Sequence, residues 1–525
     1  MALSTDSRNA YYGCTSNSPA SAEVKEFSMH LRSIFITFAA ALVVEGGASR
    51  VERSYSSSAS ISASNISLAH ESYGERNYTK GTNLRLASAT MPNGVRTMIL
   101  MSSSRFLAAA IPASARSGSL FINHSAGKQL DLGVFTVDEF GAPITIMQPG
   151  TYEGNWRSLD SKTAAVTIRT RGRVVIQNCR IQGTGDLIRV LSPGGNVVIR
   201  NCTGKALDPL IAGQTNGSFF NSWDISSLIA ENNSMENVSF GFKLYSRDGR
   251  TASGPIKIRY NRAINMQGQS SDGKGGRQTL RSGTDPKNHF VILAHMQNTN
   301  GAEISWNSVV NEPGNSSSGD LINIYSSSGT RQSPIDIHDN FLQGGYPMPI
   351  NVKRFTGSAI ITDGSPADTQ ATATAYVKIH NNQVISQANL GIGIAAGHDN
   401  EVFSNRIVSS GRARNGSWYF GNVGIALFNN YKAASSAFYG NIVRDNLVGY
   451  IAVTPNSGDP RNYLFAPFRS DYYLDGCARN GILNASQCKN NGHVPGRIDE
   501  LVEAHEVFIW QKKLTAKGIK IGAQL

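Results

Sequence analysis

From Gly141 to about Asn456 the chain is written in short runs in which apolar and polar residues alternate, separated by clusters of Ser, Gly, Pro and Asn. Alternation with a period of two marks strands that bury one face. Gly319 to Leu342, GDLINIYSSSGTRQSPIDIHDNFL, shows the unit: two such strands, a Ser/Gly/Pro-rich turn between them, and an Asn near the end. An apolar or small residue three positions before an Asn recurs in segments ending at Asn178, Asn201, Asn233, Asn261, Asn307, Asn340, Asn382, Asn405 and Asn441. Successive spacings of 23 to 46 residues belong to solenoids, propellers or helical arrays. Period-two alternation argues against helical repeats and no four-strand blade signature appears, which leaves a parallel β-solenoid.

The Asn has a physical task. Placed at the same bend of every coil, its amide donates to the Asn on one side and accepts from the Asn on the other, so turn groups are not buried unpaired. With that ladder, the stretch from Ala142 to Asn456 resembles the pectate-lyase-like superfamily of right-handed parallel β-helix proteins. The resemblance implies an all-β fold and activity on acidic polysaccharides, by lyases, hydrolases and epimerases, with some phage and adhesion proteins. At the C-terminal end, Ile498 to Lys513 places Leu501, Val502, His505 and Phe508 at helical spacing, which predicts a short amphipathic helix capping the last coil.

Aligning the strand before each ladder segment gives inward pairs that are apolar nearly throughout, such as Ile188 and Val190, Phe242 and Leu244, Ile322 and Ile324, Ile350 and Val352. The outward positions between them run Arg189, Ile211, Lys243, Ile292, Asn323, Asn351, Gly393 and Ala426. The next outward positions run Leu191, Gly213, Tyr245, Ala294, Tyr325, Lys353, Ala395 and Phe428. The middle of both columns is polar. Lys243, Tyr245, Asn323, Tyr325, Asn351 and Lys353 are expected on one face, with Arg247, His295, Arg354, His398 and Asp399 just beyond the strand ends and room for a sugar ring over Gly393 and Ala395. Two long excursions, Gln267 to Asn288 and Thr362 to Thr374, are expected as loops, the first a basic wall carrying Lys274, Arg277, Arg281 and Lys287.

Within the resemblance, alginate lyase and chondroitinase-B type families carry a strand E-x-I-S-x-K-S whose Lys takes the proton. Here Asp320, Leu321, Ile322, Asn323, Ile324, Tyr325 and Ser326 stand in that strand, with Tyr325 in place of the Lys. For β-elimination, a cation (Lys243, Arg247 or Lys353) neutralises the uronate carboxylate, a base (Tyr325, Tyr245 or Lys353) takes the α-proton, and His295 or His398 protonates the leaving oxygen. The expected catalytic set is therefore Lys243, Tyr325, Lys353 and His398, with Tyr245, Arg247, His295, Asn323, Asn351 and Arg354 binding substrate. No cofactor is required, and calcium is permitted by the resemblance. A hydrolase would need two carboxylates, for which Asp320, Asp248 and Asp399 are the candidates. Hydrolysis ranks below elimination, and a non-catalytic polysaccharide-binding or structural wall protein is the runner-up reading.

Composition supports this outline. The 525 residues include 52 Gly and only 16% charged residues, as short strands and tight turns require. The net charge of +12 suits an acidic polysaccharide. Nucleic acid is not expected, because no Lys/Arg run with interleaved aromatics occurs. Met29 opens a signal-like segment whose apolar run, Ile34 to Val44, is too short to span a bilayer. The chain divides into a targeting region (1–48), a Ser-rich segment (49–115), a solenoid (116–496) and a C-terminal helix and tail (497–525). A secreted monomer is expected, organelle targeting being the alternative. Four cysteines pair by position, Cys477 with Cys488 and Cys179 with Cys202, since stacked strands lie about 4.8 Å apart, within reach of a disulfide, two buried free thiols in the stack being the alternative for the second pair.

Overall fold

The structure is a computed structural model. It describes residues 140–525 apart from 248, 250–251, 279–286, 351–354, 414–415, 457–458 and 475–486, and, before residue 140, strand segments alone. The signal-like segment lies outside the described residues. The chain forms two compact units, Met1–Val137 and Asp138–Leu525. In the first, Arg85–Thr90, Arg96–Ser102 and Arg105–Ile111 pair antiparallel in order, as do Ser117–Asn123 and Gln129–Thr136.

The second unit is a right-handed parallel β-helix. Each coil contributes one strand to each of three sheets, and successive coils pair in parallel and in register. Sheet I runs from Ile144–Ile146 to Tyr472–Leu474, sheet II from Gly150–Tyr152 to Cys488–Lys489, and sheet III from Asn155–Ser158 to Leu447–Asn456, which turns into an antiparallel hairpin with Asp459–Arg469. The parallel coils thus begin at Ile144, later than the boundary of 116. Inward residues form one continuous core. Within it Phe219, Phe242 and Phe290 stack edge to face at 5.7 and 5.8 Å, the arrangement aromatic quadrupoles favour.

The corner between sheets II and III repeats almost without variation. A residue with positive φ (Asn178, Asn201, Asn232, Tyr260, Trp306, Asp339, Asn381, Ser404, Asp445, Asn490) turns the chain, and the next residue points inward. From the third coil onward that inward residue is Asn233, Asn261, Asn307, Asn340, Asn382, Asn405, Asn446 and Asn491. Each Nδ2 up to Asn446 donates to the Oδ1 of the next at 2.9–3.0 Å, and each, Asn491 included, donates to a carbonyl of the preceding coil. The ladder position is one residue later than expected at Asn178 and Asn201, and in the ninth ladder coil it is Asn446. Asn441 belongs to a second, shorter run at another corner, where it accepts from the Asn400 N–H.

In the first two ladder coils the inward residue is Cys179 and Cys202. Both are buried free thiols and not the expected disulfide. They stand in for the Asn: the Cys202 N–H donates to Asn233 Oδ1 at 3.0 Å, and the Cys179 thiol donates to the Gln177 carbonyl at 2.9 Å. The hydrogen bond to the neighbouring Cys179 sulfur, and then burial, push the Cys202 thiol far up, so it stays protonated. Cys488 is disulfide-bonded; Cys477 lies outside the described residues.

The C-terminal helix, α1 (Glu500–Lys517), is capped by Asp499, which accepts from the Leu501 and Val502 N–H groups, and ends at Gly518 with φ 64. It does not cap the last coil. It lies lengthwise against sheet III, and its buried face is Glu503, Glu506 and Trp510, whereas Leu501 (80% exposed) and Phe508 (49%) face solvent. Trp510 stacks on Trp306 and Phe341. Glu506 receives Arg406 in a bidentate pair and Gln383 at 3.0 Å. Beyond it the tail runs back to early coils, where the Gly522 N–H reaches the Tyr260 carbonyl and the Gln524 N–H reaches Asn201 Oδ1. No helix among the described residues is long and apolar enough to cross a membrane.

Candidate active site

Sheet I presents its outward residues in two columns whose membership follows from the strand register. One column is Thr167, Arg189, Asn221, Lys243, Ile292, Asn323, Ile361, Gly393 and Ala426; the other contains Trp223, Tyr245, Ala294, Tyr325 and Asp363. Two coils differ from the sequence-based alignment. In the third, the strand is Phe220–Trp223, and Ile211 and Gly213 sit in a loop where Leu210 and Ile211 are 74% and 51% exposed. In the seventh, the strand is Ser358–Asp363 and not Ile350–Val352. Asn351, Lys353 and Arg354 lie outside the described residues. Asp363, expected in a loop, therefore stands beside Tyr325 at the centre of the face.

That substitution assembles a pair of carboxyl groups. Asp320 opens its strand and Asp363 closes the next, and Asn323 sits between them, its Nδ2 donating to Asp320 Oδ2 at 3.3 Å and to Asp363 Oδ2 at 3.1 Å. Asp320 Oδ1 also accepts from the Ser358 N–H, and Asp363 accepts from the Gly364 N–H and from the Tyr431 hydroxyl. Burial raises the Asp320 carboxyl above the ordinary carboxylate range. Burial likewise raises Asp363, and the Asp320 charge raises it further. Two acids this close cannot both ionise easily, so the pair retains a proton to higher pH than either alone. Because one amide nitrogen touches both, the bridged oxygens are closer than twice a hydrogen-bond length. Asn323 is 3% exposed and its Oδ1 has no hydrogen-bond partner among the described residues.

Around the pair, His289 is buried and its Nδ1 donates to the Asp320 carbonyl at 2.9 Å. Burial holds its pKa down to about 4, so the ring is neutral at pH 7. His295 is exposed and meets Tyr325 edge on at 5.1 Å. Asp368, from the loop after Asp363, accepts from the Ser326 hydroxyl and the Ser365 N–H. Tyr431 comes from the loop after Val423–Leu427, a loop held back over sheet I by an Asn430 N–H bond to the Ala395 carbonyl. The space expected over Gly393 and Ala395 is filled: Leu390, Val423 and Ala426 form an apolar cluster there with Ile361 and Phe428.

Toward the N-terminal end the same face is open and cationic. Trp223, 38% exposed, packs on Tyr245 with ring centroids 5.0 Å apart. Arg247 lies over Trp223 at 5.2 Å, and Lys243 over Phe240 and Tyr245 at 4.7 and 5.4 Å. Burial lowers the Lys243 pKa, Asp186 opposing this and Arg189 adding to it. Burial raises the Tyr245 hydroxyl, which removes it as a base near neutral pH.

His398 is not brought to this face as an available acid. It is 3% exposed, stacked on Tyr439 at 4.7 Å, with Nδ1 against Asp399 Oδ2 and Nε2 donating to the Gln370 carbonyl. In the basic loop, Arg277 is tied down, donating to Asn216 Oδ1 and pairing with Asp208; Arg281 and Asp248 lie outside the described residues. Among the described residues no three His, Cys, Asp or Glu side chains converge as a metal-binding group. Asp363, Tyr431 and Trp223 were missed by the alignment. The signal for Asp363 was present in SAIITD, a strand-like alternation ending in a carboxylate. Comparison with protein-family models, curated proteins and solved structures gave no match.

Proposed function

We propose that this chain is a secreted, pectate-lyase-like β-helix enzyme that hydrolyses an acidic polysaccharide, with Asp320 and Asp363 as its acid and its nucleophile. The observation that carries the reading is the Asn323-bridged carboxyl pair, with both groups raised by burial. Retaining glycosidases hold two carboxyl groups about 5–5.5 Å apart and inverting ones about 6.5–9.5 Å. The single bridging amide favours the shorter class.

The roles follow from the donors. Asp363 accepts from Tyr431, Gly364 and Asn323, three hydrogen bonds that favour its anion. The two carboxyls titrate as one coupled pair, and the proposal assigns their shared proton to Asp320 in the reacting form. In the first step Asp320 gives that proton to the glycosidic oxygen while an Asp363 oxygen bonds to the anomeric carbon and the leaving group departs. In the second, Asp320, now a carboxylate, takes a proton from water, whose oxygen attacks the anomeric carbon and releases Asp363.

A second reading has its own observation. Lys243 has a lowered pKa and no carboxylate within ion-pair distance among the described residues, the state a base for β-elimination needs. The two readings separate in one assay. Pectate, alginate and glycosaminoglycans are incubated with the protein while reducing ends and unsaturated-uronate absorbance are both followed. Hydrolysis yields reducing ends without absorbance, and an absorbance rise matching the reducing ends would establish elimination instead. No product of either kind from any polymer defeats both.

A further inference from the structure

At the N-terminal end of the same face lies a cleft of about 320 Å³ with Lys162, Asp186, Arg189, Gln214 and Asn216 in its wall. A side chain at Gly217 would strike the Gly185 carbonyl, and one at Gly185 the Ser161 carbonyl, so these glycines keep the cleft's inner wall close. Asp186 is spoken for by the fold: its Oδ1 accepts the Ser218 N–H at 3.0 Å and its Oδ2 the Asn221 Nδ2 at 2.9 Å. Arg189 meets it only at 3.9 Å, its side chain 44% exposed. Lys243 feels both Asp186 and Arg189 yet pairs with no carboxylate among the described residues. One carboxylate thus faces two cations, with Lys162 as a third nearby, and Asn221 Oδ1 is buried without a partner. A partly buried excess of positive charge is costly unless an anion completes it.

We propose that this cleft, together with the Lys243 and Trp223 surface beside it on sheet I, is a distal subsite that binds the carboxylate of an acidic sugar between Arg189 and Lys243, with Trp223 stacking the ring, while the scissile bond lies at the acid pair. The inference rests on the proposed function for where the chain is cut, but not for whether it is bound. Arg189 and Asn323, which bridges the acid pair, occupy the same register column, four coils apart. At a strand spacing of about 4.8 Å that is roughly 19 Å along the solenoid axis. An extended sugar chain running parallel to the axis advances by about one unit per coil, so a ligand needs roughly five units to touch both places.

The test is calorimetric titration of Asp363→Asn protein with oligogalacturonates and oligomannuronates of two to eight units, and with carboxyl-reduced oligomers of the same lengths. In one acidic series affinity should rise with length to about five units and then level. Arg189→Gln with Lys243→Gln should cost about tenfold for the long acidic oligomers and leave the reduced ones unchanged; Trp223→Ala should weaken both. Equal thermal melting of the variants and the parent excludes misfolding, and Arg189→Lys should restore part of the loss. Absence of binding by every acidic oligomer, length-independent affinity, or a cation-deficient variant that binds like its parent overturns the proposal. Binding with this profile alongside a wild-type protein that cleaves nothing would overturn the hydrolase reading alone, and turnover without it would overturn the subsite alone.

Discussion

Asn307→Ala tests how much of the solenoid's stability resides in its ladder. Asn307 is fully buried, and its Oδ1 accepts from both the N–H and the Nδ2 of Asn261 at 3.0 Å, while its Nδ2 donates to the Ile258 carbonyl at 2.8 Å and to Asn340 Oδ1 at 3.0 Å. Truncation leaves the Asn261 N–H without its partner, removes the side-chain donor to the Ile258 carbonyl, and leaves Asn261 Nδ2 with only its bond to the Ala230 carbonyl. Each buried group stripped of its hydrogen bond costs about 1–3 kcal/mol, so a local destabilisation of about 3–5 kcal/mol is expected. Asn233 is the first Asn of the run, and below it stands Cys202, whose backbone N–H alone uses its Oδ1. Asn233→Ala therefore orphans one donor fewer and should cost about 1–2 kcal/mol less. Solenoids open coil by coil, so the measurement is hydrogen exchange of peptides across each corner, not a global melt. Asn307→Ala should accelerate exchange at the Asn261 amide by at least about a hundredfold. An effect under about tenfold, or a larger effect from Asn233→Ala, would refute the reasoning.

Two further outcomes follow from buried titratable groups. Glu503 of α1 accepts the Ser410 N–H in a buried position, and burial raises its pKa to about 7 against an ordinary 4.5. Below about pH 4.5 the folded and unfolded chains are both protonated. Between 4.5 and 7 the unfolded chain loses the proton that the folded one keeps, so stability falls with rising pH by at most about 3 kcal/mol and is level above 7. Glu503→Gln should flatten that part of the melting temperature's pH profile, and an unchanged profile would contradict the assignment. The Cys179 and Cys202 thiols should resist alkylation in the native protein and both react in denaturant without prior reduction; a mass showing them bridged would contradict the ladder role.

The fold was legible because its code is local and repeated. Alternation marks each inward pair, and the Asn needs one environment that recurs at every corner. Errors arose where another residue satisfied the same requirement. In the first two ladder coils a buried thiol takes the Asn position, and position alone left Cys179 and Cys202 open to either a disulfide or two free thiols. In α1, two glutamates are buried because Arg406, Gln383 and the Ser410 N–H receive them, and apolar periodicity could not reveal a face built from carboxylates. The site was half legible. Lys243, Asn323 and Tyr325 were found by register, but PINV imitates a strand better than SAIITD does, and choosing it displaced Asp363. Tyr431 lies 68 residues from its partner, and sequence spacing carries no trace of such a contact.

The central claim is that the Asp320–Asp363 pair performs hydrolysis. It is tested most directly by the rate of reducing-end release from the polymer that the wild-type protein cleaves, compared with Asp363→Asn and Asp320→Asn. Each substitution keeps the shape of the side chain and removes its acid–base function, and both are expected to lower the rate by about 10²-fold or more. The wild-type rate should fall as pH rises and the pair gives up its shared proton. Wild-type rates from both variants, with loss of activity on Lys243→Met and unsaturated products, would contradict the claim.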